Sequence, residues 1–254
     1  MTRLTESEFW DSEWKKINLK KGILKESHFY FGRSGIFTKM TDRYTEKNDV
    51  KKILEIGGGG ENYRLLALAK WRGMEPTVID YSSVAIEIVK NLFKRNFQNA
   101  EFINVDFDEY DANVKFDMVV HWGVLEHFTD PLPLINKCAN LLKPGGQLLF
   151  TMPNMEAFGA QAWKKWAPNN WSKHYLHTEE AVLTAMNNAG FSSLESGHFG
   201  MPMVGSTWEV NNAYTTTLTG LQRGVSLMAR IFPVLATIGH KCISSERVFH
   251  GVKL

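Results

Sequence analysis

Four glycines in a row, Gly57 to Gly60, follow an apolar run with an embedded acid, Lys52-Ile-Leu-Glu55-Ile. Side chains able to do chemistry come later: Asp80, Asp106, then His121, His127, His174 and His177. Consecutive glycines make turns closed to other residues and let a ligand press against bare main chain. A helix starting just after them offers unpaired N–H groups and a partial positive charge. A carboxylate can accept both hydroxyls of a ribose at once. A histidine can take a proton from an attacking group. The chemistry implied is an adenosine-type ligand on the glycines with a reaction beside it.

The elements that must position these residues alternate. Strand-like runs are Lys52–Ile56, Pro76–Asp80, Glu101–Asp106, Phe116–His121 and Gly146–Met152. Helix-like runs between them are Asn62–Trp71, Ser83–Phe97 (capped by Ser83) and Leu132–Leu142. Such alternation predicts right-handed βαβ units and a parallel sheet covered on both faces. Ligands of these sheets sit at the C-terminal strand ends, near the reversal of strand order. Every strand here ends in something polar: Glu55 with the glycines, Asp80, Asp106, His121-Trp122-Gly123 and Pro153-Asn154. That marks one rim as the site.

The glycines do not suit a dinucleotide. Gly-x-Gly-x-x-Gly fails, because Asn62 or Tyr63 falls at the third glycine. A phosphate-binding P-loop fails for lack of Gly-Lys-Ser/Thr. S-adenosylmethionine has no phosphates, and needs close backbone approach plus a carboxylate for its ribose. Asp80 lies about twenty residues past the glycines, where a ribose would lie. Asp106 can take the adenine amino group and Phe107 can cover the ring.

On these residues the chain resembles the class I S-adenosylmethionine-dependent methyltransferases. Ile53-Leu-Glu-Ile-Gly-Gly-Gly-Gly-Glu-Asn62 is similar to their first motif, Val78-Ile-Asp80-Tyr-Ser to their second and Asn104-Val-Asp106-Phe to their third. Phe116 to Phe128 and Leu141 to Phe150 resemble the next two. Glu61 stands where the family often has a further glycine. The resemblance implies an α/β fold, a doubly wound Rossmann-like seven-stranded sheet of order 3-2-1-4-5-7-6 with strand 7 antiparallel. Phe191–Ser196 and Arg247–Leu254 would supply its last strands. Residues 1–50 would form an N-terminal helical cap or lid, and 51–254 the methyltransferase domain with a helical insertion at about 198–245. Implied cofactor-binding residues are Glu55, Gly57, Gly58, Gly59, Asp80, Tyr81, Asp106, Phe107, His121 and Trp122.

The implied reaction moves a methyl group from a sulfonium to a hydroxyl, amine or thiol of a small molecule, such as a natural product, a quinone-like acceptor or a sugar. Candidate bases are His127, His121 and His174. The loop-like stretch from Asn154 to Lys173, then His174 to His177, is expected to hold the acceptor through Trp166, Trp171, Tyr175 and His177. Trp163 and Trp166 stand in that stretch, while Trp10 and Trp14 fall at helical spacing near the N-terminus. A non-catalytic S-adenosylmethionine-binding partner module and another nucleotide-fold enzyme are the competing readings.

Composition narrows the partners. A net charge of +2 without a dense Lys/Arg cluster argues against nucleic acid. No apolar run approaches the ~20 residues of a membrane span. Cys138 and Cys242, the two cysteines, have no partners at metal spacing, so reduced thiols, a cytoplasmic location and no metal are expected. Val225–Ile238 suits core or oligomer packing, and a homodimer through 198–245, ahead of contact with a membrane surface.

Overall fold

The structure, a computed structural model, describes residues 2–16, 32–46, 49–60, 62–203, 208–232 and 239–254. His28 to Phe31, Ile17 and Glu61 lie outside the described residues, as does most of the apolar stretch after Phe232.

Seven strands form one sheet in the order β3-β2-β1-β4-β5-β7-β6. They are β1 (Lys52–Ile56), β2 (Glu75–Asp80), β3 (Glu101–Asn104), β4 (Phe116–Trp122), β5 (Leu142–Pro153), β6 (Phe191–Pro202) and β7 (Ser244–Lys253). β1 to β5 pair in parallel, and β7 runs antiparallel to both β5 and β6. The expected order is the observed one. Strand order reverses at β1 and β4, whose C-terminal ends open a crevice there.

Period-two alternation puts successive strand residues on opposite faces. Leu54, Ile56, Val119, Leu148 and Phe150 pack under α5 (Leu132–Leu141) and α8 (Glu179–Asn188). Ile53, Val78, Met118, Val120 and Leu149 pack under α3 (Tyr63–Arg72) and α4 (Ser83–Arg95). Both faces are dry, which is why the strands read as unbroken apolar runs.

The caps explain where helices begin. Asn62 accepts from the Leu65 amide and Ser82 from the Ala85 amide, so Ser82 rather than Ser83 starts α4. Thr178 caps α8 through the Ala181 amide, as its sequence position predicts. β3 stops at Asn104, so Asp106 stands in the following turn and not at a strand end.

Two other departures concern the accessory parts. The stretch expected to be a loop folds into α6 (Phe158–Trp166) and α7 (Pro168–Trp171). Trp163 is buried there with Met155 and Ala167, a small satellite core that makes helix cheaper than open loop. β6 runs on to Pro202, so the insertion begins later than 198 and contains α9 (Ala213–Ile231). Leu227, Met228 and Ile231 of α9 are exposed, so the described part of the apolar stretch does not pack in the core, which leaves oligomer packing of the two expected arrangements. No described helix is long and apolar enough to cross a membrane.

At the other end, α1 (Ser7–Lys16) lies across the rim and α2 (Gly32–Glu46) flanks α3. The Asp42 carboxylate takes a bidentate pair from Arg72 at 2.7 Å. Thr178→Ala should lower unfolding free energy by about 1 kcal/mol in a urea titration, the usual worth of an N-cap. An unchanged midpoint would show that tertiary packing alone sets the start of α8.

Candidate functional site

The rim is built from Asp80. This carboxylate ends β2 and is buried. One oxygen accepts from the Gly59 amide at 3.1 Å, the other from the Ser82 amide at 2.8 Å. The Gly57 amide donates to the Ile79 carbonyl at 2.9 Å and the Gly60 amide to the Ala85 carbonyl at 2.9 Å. The glycine turn is therefore stitched to the end of β2 and the start of α4. A Cβ on Gly59 would fall 2.2 Å from the Ala85 Cβ and 2.7 Å from an Asp80 oxygen, so this position admits glycine only. Burial pushes Asp80 up to about 6, against the two amide bonds that pull it down, with Asp11 and Glu55 adding to the rise.

Between this rim and the end of β4 lies a cavity. Gly57, Asp80, Tyr81, Asp106 and Phe107 line one side, and Trp122, Gly123, Val124 and His127 the other. Trp10 and Trp14 of α1 form its roof. Trp14 fills the space over Gly60, where a Cβ would meet its ring at 2.3 Å. The Trp10 ring stands edge-on to His127 at 5.3 Å. The Asp11 carboxylate accepts the Ser82 hydroxyl at 2.5 Å, docking α1 on the cap of α4.

Several expected cofactor residues take other parts. Glu55 is buried and faces Arg64 at 3.2 Å instead of lining the cavity. Gly58 and Gly59 shape the turn from behind, absent from the cavity wall. His121 is sealed in the core, stacked on Phe150 at 4.5 Å, with both ring nitrogens unpartnered among the described residues. Burial lowers it to about 3, so it stays neutral and has no path to an acceptor. The expectation of a base or cofactor contact at His121 is withdrawn.

Asp106 lines the cavity and is already paired. Arg3 grips both its oxygens, at 2.7 and 2.6 Å. The same guanidinium lies over the Tyr81 ring at 4.9 Å and the Phe128 ring at 5.4 Å. Arg3 and Thr5, whose hydroxyl meets the Tyr81 hydroxyl at 3.3 Å, are site residues that no local signal in the sequence reveals. The bond to Arg3 holds Asp106 below the usual carboxylate range.

The acceptor candidates divide. His127 reaches the cavity; Trp166, Trp171, Tyr175 and His177 do not line it. Trp166 stacks on Tyr214 of α9 at 6.2 Å, and Tyr175 is exposed. His177 holds the Phe128 carbonyl at 2.9 Å, a structural tie between loops. Trp171 meets Trp163 at 5.3 Å, and Trp163 meets His174 at 4.7 Å, so these rings back the wall instead of forming it.

Behind His127 stand Glu126 and His174. The turn Leu125–His127 follows β4, and the Tyr175 amide donates to the Glu126 carbonyl at 2.6 Å. That bond fastens the turn to the segment after α7. Burial raises Glu126 to about 8, with repulsion from Glu246 adding to it. Burial lowers His127 to about 4, helped by nearby His174, and lowers His174 to about 4 as well.

A family model described as a methyltransferase domain matches residues 31–196. A ubiquinone biosynthesis O-methyltransferase of Coxiella burnetii (strain Dugway 5J108-111) is 34% identical over 105 residues, 41% of this chain and 44% of that protein. The chain thus matches less than half the length of that relative. The magnesium protoporphyrin IX methyltransferase of Synechocystis PCC 6803, solved with bound SAH, superposes with a TM-score of 0.61 at 14% identity, over 98% of this chain and 96% of the other. A SAM-dependent methyltransferase from Archaeoglobus fulgidus gives 0.56 at 18% identity, over 90% and 97%. At such identities these two likenesses establish the fold.

Removing Arg3 should raise the Asp106 titration. In Arg3→Gln, carboxyl NMR should place its midpoint near the ordinary value of about 3.9, above that of the parent chain. The parent ion pair stabilises near neutral pH and fades as pH falls through the lowered folded value. An unmoved midpoint would mean that Arg3 does not hold Asp106 in solution.

Proposed function

The chain belongs to the methyltransferase-domain family, and from that premise we propose that it moves a methyl group from S-adenosylmethionine to a nucleophile on a small molecule. One observation carries the reading: Asp80 and His127 line opposite sides of a single roofed cavity. The cofactor's ribose is assigned to Asp80, each of whose oxygens keeps a lone pair beyond its bond to Gly59 or Ser82. Its methionine end is assigned to the turn at Gly57, and its adenine to Tyr81 and Phe107. Trp122 and His127 then face the sulfonium methyl from the acceptor side.

The small-molecule acceptor follows from space and charge. The site is a concave pocket at the strand ends, the kind of place where small ligands bind. Trp10 and Trp14 cover it, which favours a compact acceptor over a macromolecular one. Most of the lining is apolar, which suits an aromatic or ring-containing acceptor.

The reaction needs little bond-making help from the protein. The nucleophile's lone pair forms a bond to the methyl carbon while the carbon–sulfur bond breaks and its electron pair stays on sulfur. Rate comes from holding the two in line and excluding water, which the α1 roof does. A hydroxyl acceptor must also lose its proton. Of His121, His127 and His174, His127 is the one assigned to the acceptor.

Incubation with S-adenosylmethionine and pools of phenols, amines, thiols and sugars tests the reading, with S-adenosylhomocysteine measured by mass spectrometry. Formation with one pool is expected. Binding without turnover on any pool would favour a non-catalytic module, and binding of NAD(P) in its place would overturn the assignment. Asp80→Ala should weaken cofactor binding by about 1–3 kcal/mol, roughly 5- to 150-fold. Asp80 is ionised only above its raised value of about 6. Calorimetry on the parent chain should therefore show affinity rising from about pH 5 to about pH 8, with no such step in Asp80→Asn. A flat profile would place the ribose elsewhere.

A further inference from the structure

We propose that Glu126, His127 and His174 form a binding site for one divalent transition-metal ion of the zinc class, at the acceptor-side wall of the cavity. One ligand atom from each lies within 4.8 Å of the others. The site is empty here. Bond lengths of about 2.1 Å bring ligand atoms to within roughly 3.4 Å of each other. The three side chains need draw in by about 1 Å, which small torsional changes supply.

Two further observations point to a cation. The first is how the histidines are held. His127 Nδ1 is 2.8 Å from the Lys173 carbonyl, and His174 Nδ1 is 2.8 Å from the Asn170 carbonyl. A carbonyl only accepts, so each Nδ1 carries the hydrogen and each Nε2 keeps its lone pair. That is the tautomer and the outer hydrogen bond that metal-binding imidazoles use. The second is Glu126. Its Oε2 is buried with no partner among the described residues, and its Oε1 is 3.9 Å from the His127 Nε2, too far for a hydrogen bond. A buried acid with an unpartnered oxygen is costly in the interior, and a cation bound to its ionised form removes that cost.

The scaffold around these atoms is rigid. His127 and Glu126 sit on one short turn, tied to the His174 segment by the Tyr175 amide and the Lys173 carbonyl. Trp163 and Trp10 pack against the two imidazoles. Two nitrogens and one oxygen leave a coordination position open, the pattern of a reactive rather than a structural zinc site. His127, which lines the cavity, would place such an ion next to it.

Resting on the methyl-transfer reading, the substrate class narrows to an oxygen acceptor, a phenol or other acidic hydroxyl. Bound to the metal, its oxygen releases its proton to solvent more readily. It then forms the bond to the methyl carbon as the bond to sulfur breaks, with that electron pair left on sulfur. His127 is then a ligand rather than a free base.

The test uses cobalt(II) chloride as a spectroscopic probe on the intact chain, with zinc chloride in competition. One equivalent should produce the visible absorption of a four-coordinate cobalt site, and zinc should abolish it. His174→Ala and Glu126→Gln should each weaken binding at least about tenfold. Zinc should raise the melting temperature of the parent chain and of neither variant. Glu126→Gln keeps the side chain's shape and stays informative where His174→Ala fails to fold. No cobalt site in the parent chain, or equal affinity in parent and both variants, would overturn the proposal. Calorimetry with S-adenosylmethionine on the same samples separates the two ideas. Turnover without cobalt binding removes the metal alone, whereas cobalt binding without S-adenosylmethionine binding leaves the metal and removes the methyl transfer.

Discussion

A buried carboxylate at the end of β2 ties the crevice together. Asp80 gives up most of its water, and two main-chain amides, Gly59 and Ser82, return part of what it loses. Compensation is incomplete, which is why its affinity for a proton rises. Those two bonds hold the turn after β1 against the start of α4, so the glycine backbone has one shape. The missing share of hydrogen bonding is what a ligand with two adjacent hydroxyls would supply. Organising the turn and, on the proposed function, binding a ribose would be one electrostatic arrangement.

The roof depends on a second carboxylate in the opposite way. Asp106 is partly exposed and already neutralised by Arg3, which brings the N-terminal segment down onto the Tyr81 and Phe128 rings. Trp14 then reaches Gly60 and Trp10 reaches His127.

The wall at the end of β4 is a layered construction. His127 is its face, Glu126 and His174 lie behind, and Trp163 and Trp171 brace the back. Dense aromatic packing keeps water from the buried polar atoms, and so leaves the imidazoles neutral with lone pairs available. The tryptophans act here as low-dielectric support for the wall.

Much of the fold could be read from the chain because it rests on local rules. Apolar runs of strand length, helical periodicity, Asn62 and Thr178 as caps, and four glycines after Glu55 each act over a few residues. The resemblance of its motifs supplied the strand order, and Asp80 stood at a spacing that already suggested a ribose. Other features lay beyond such rules. Arg3 meets Asp106 across a hundred-odd residues, and His174 joins Glu126 and His127 from a segment that looked like open loop. His121 and His127 are indistinguishable as residue types, yet one is sealed against Phe150 and the other opens on the cavity. By itself the sequence determined most of the strands and helices and where the glycine turn falls, since those follow from short-range sterics and patterning. Only the tertiary structure decided what roofs the cavity, which histidine faces it and which groups stand behind, because these depend on side chains that packing brings together from distant segments.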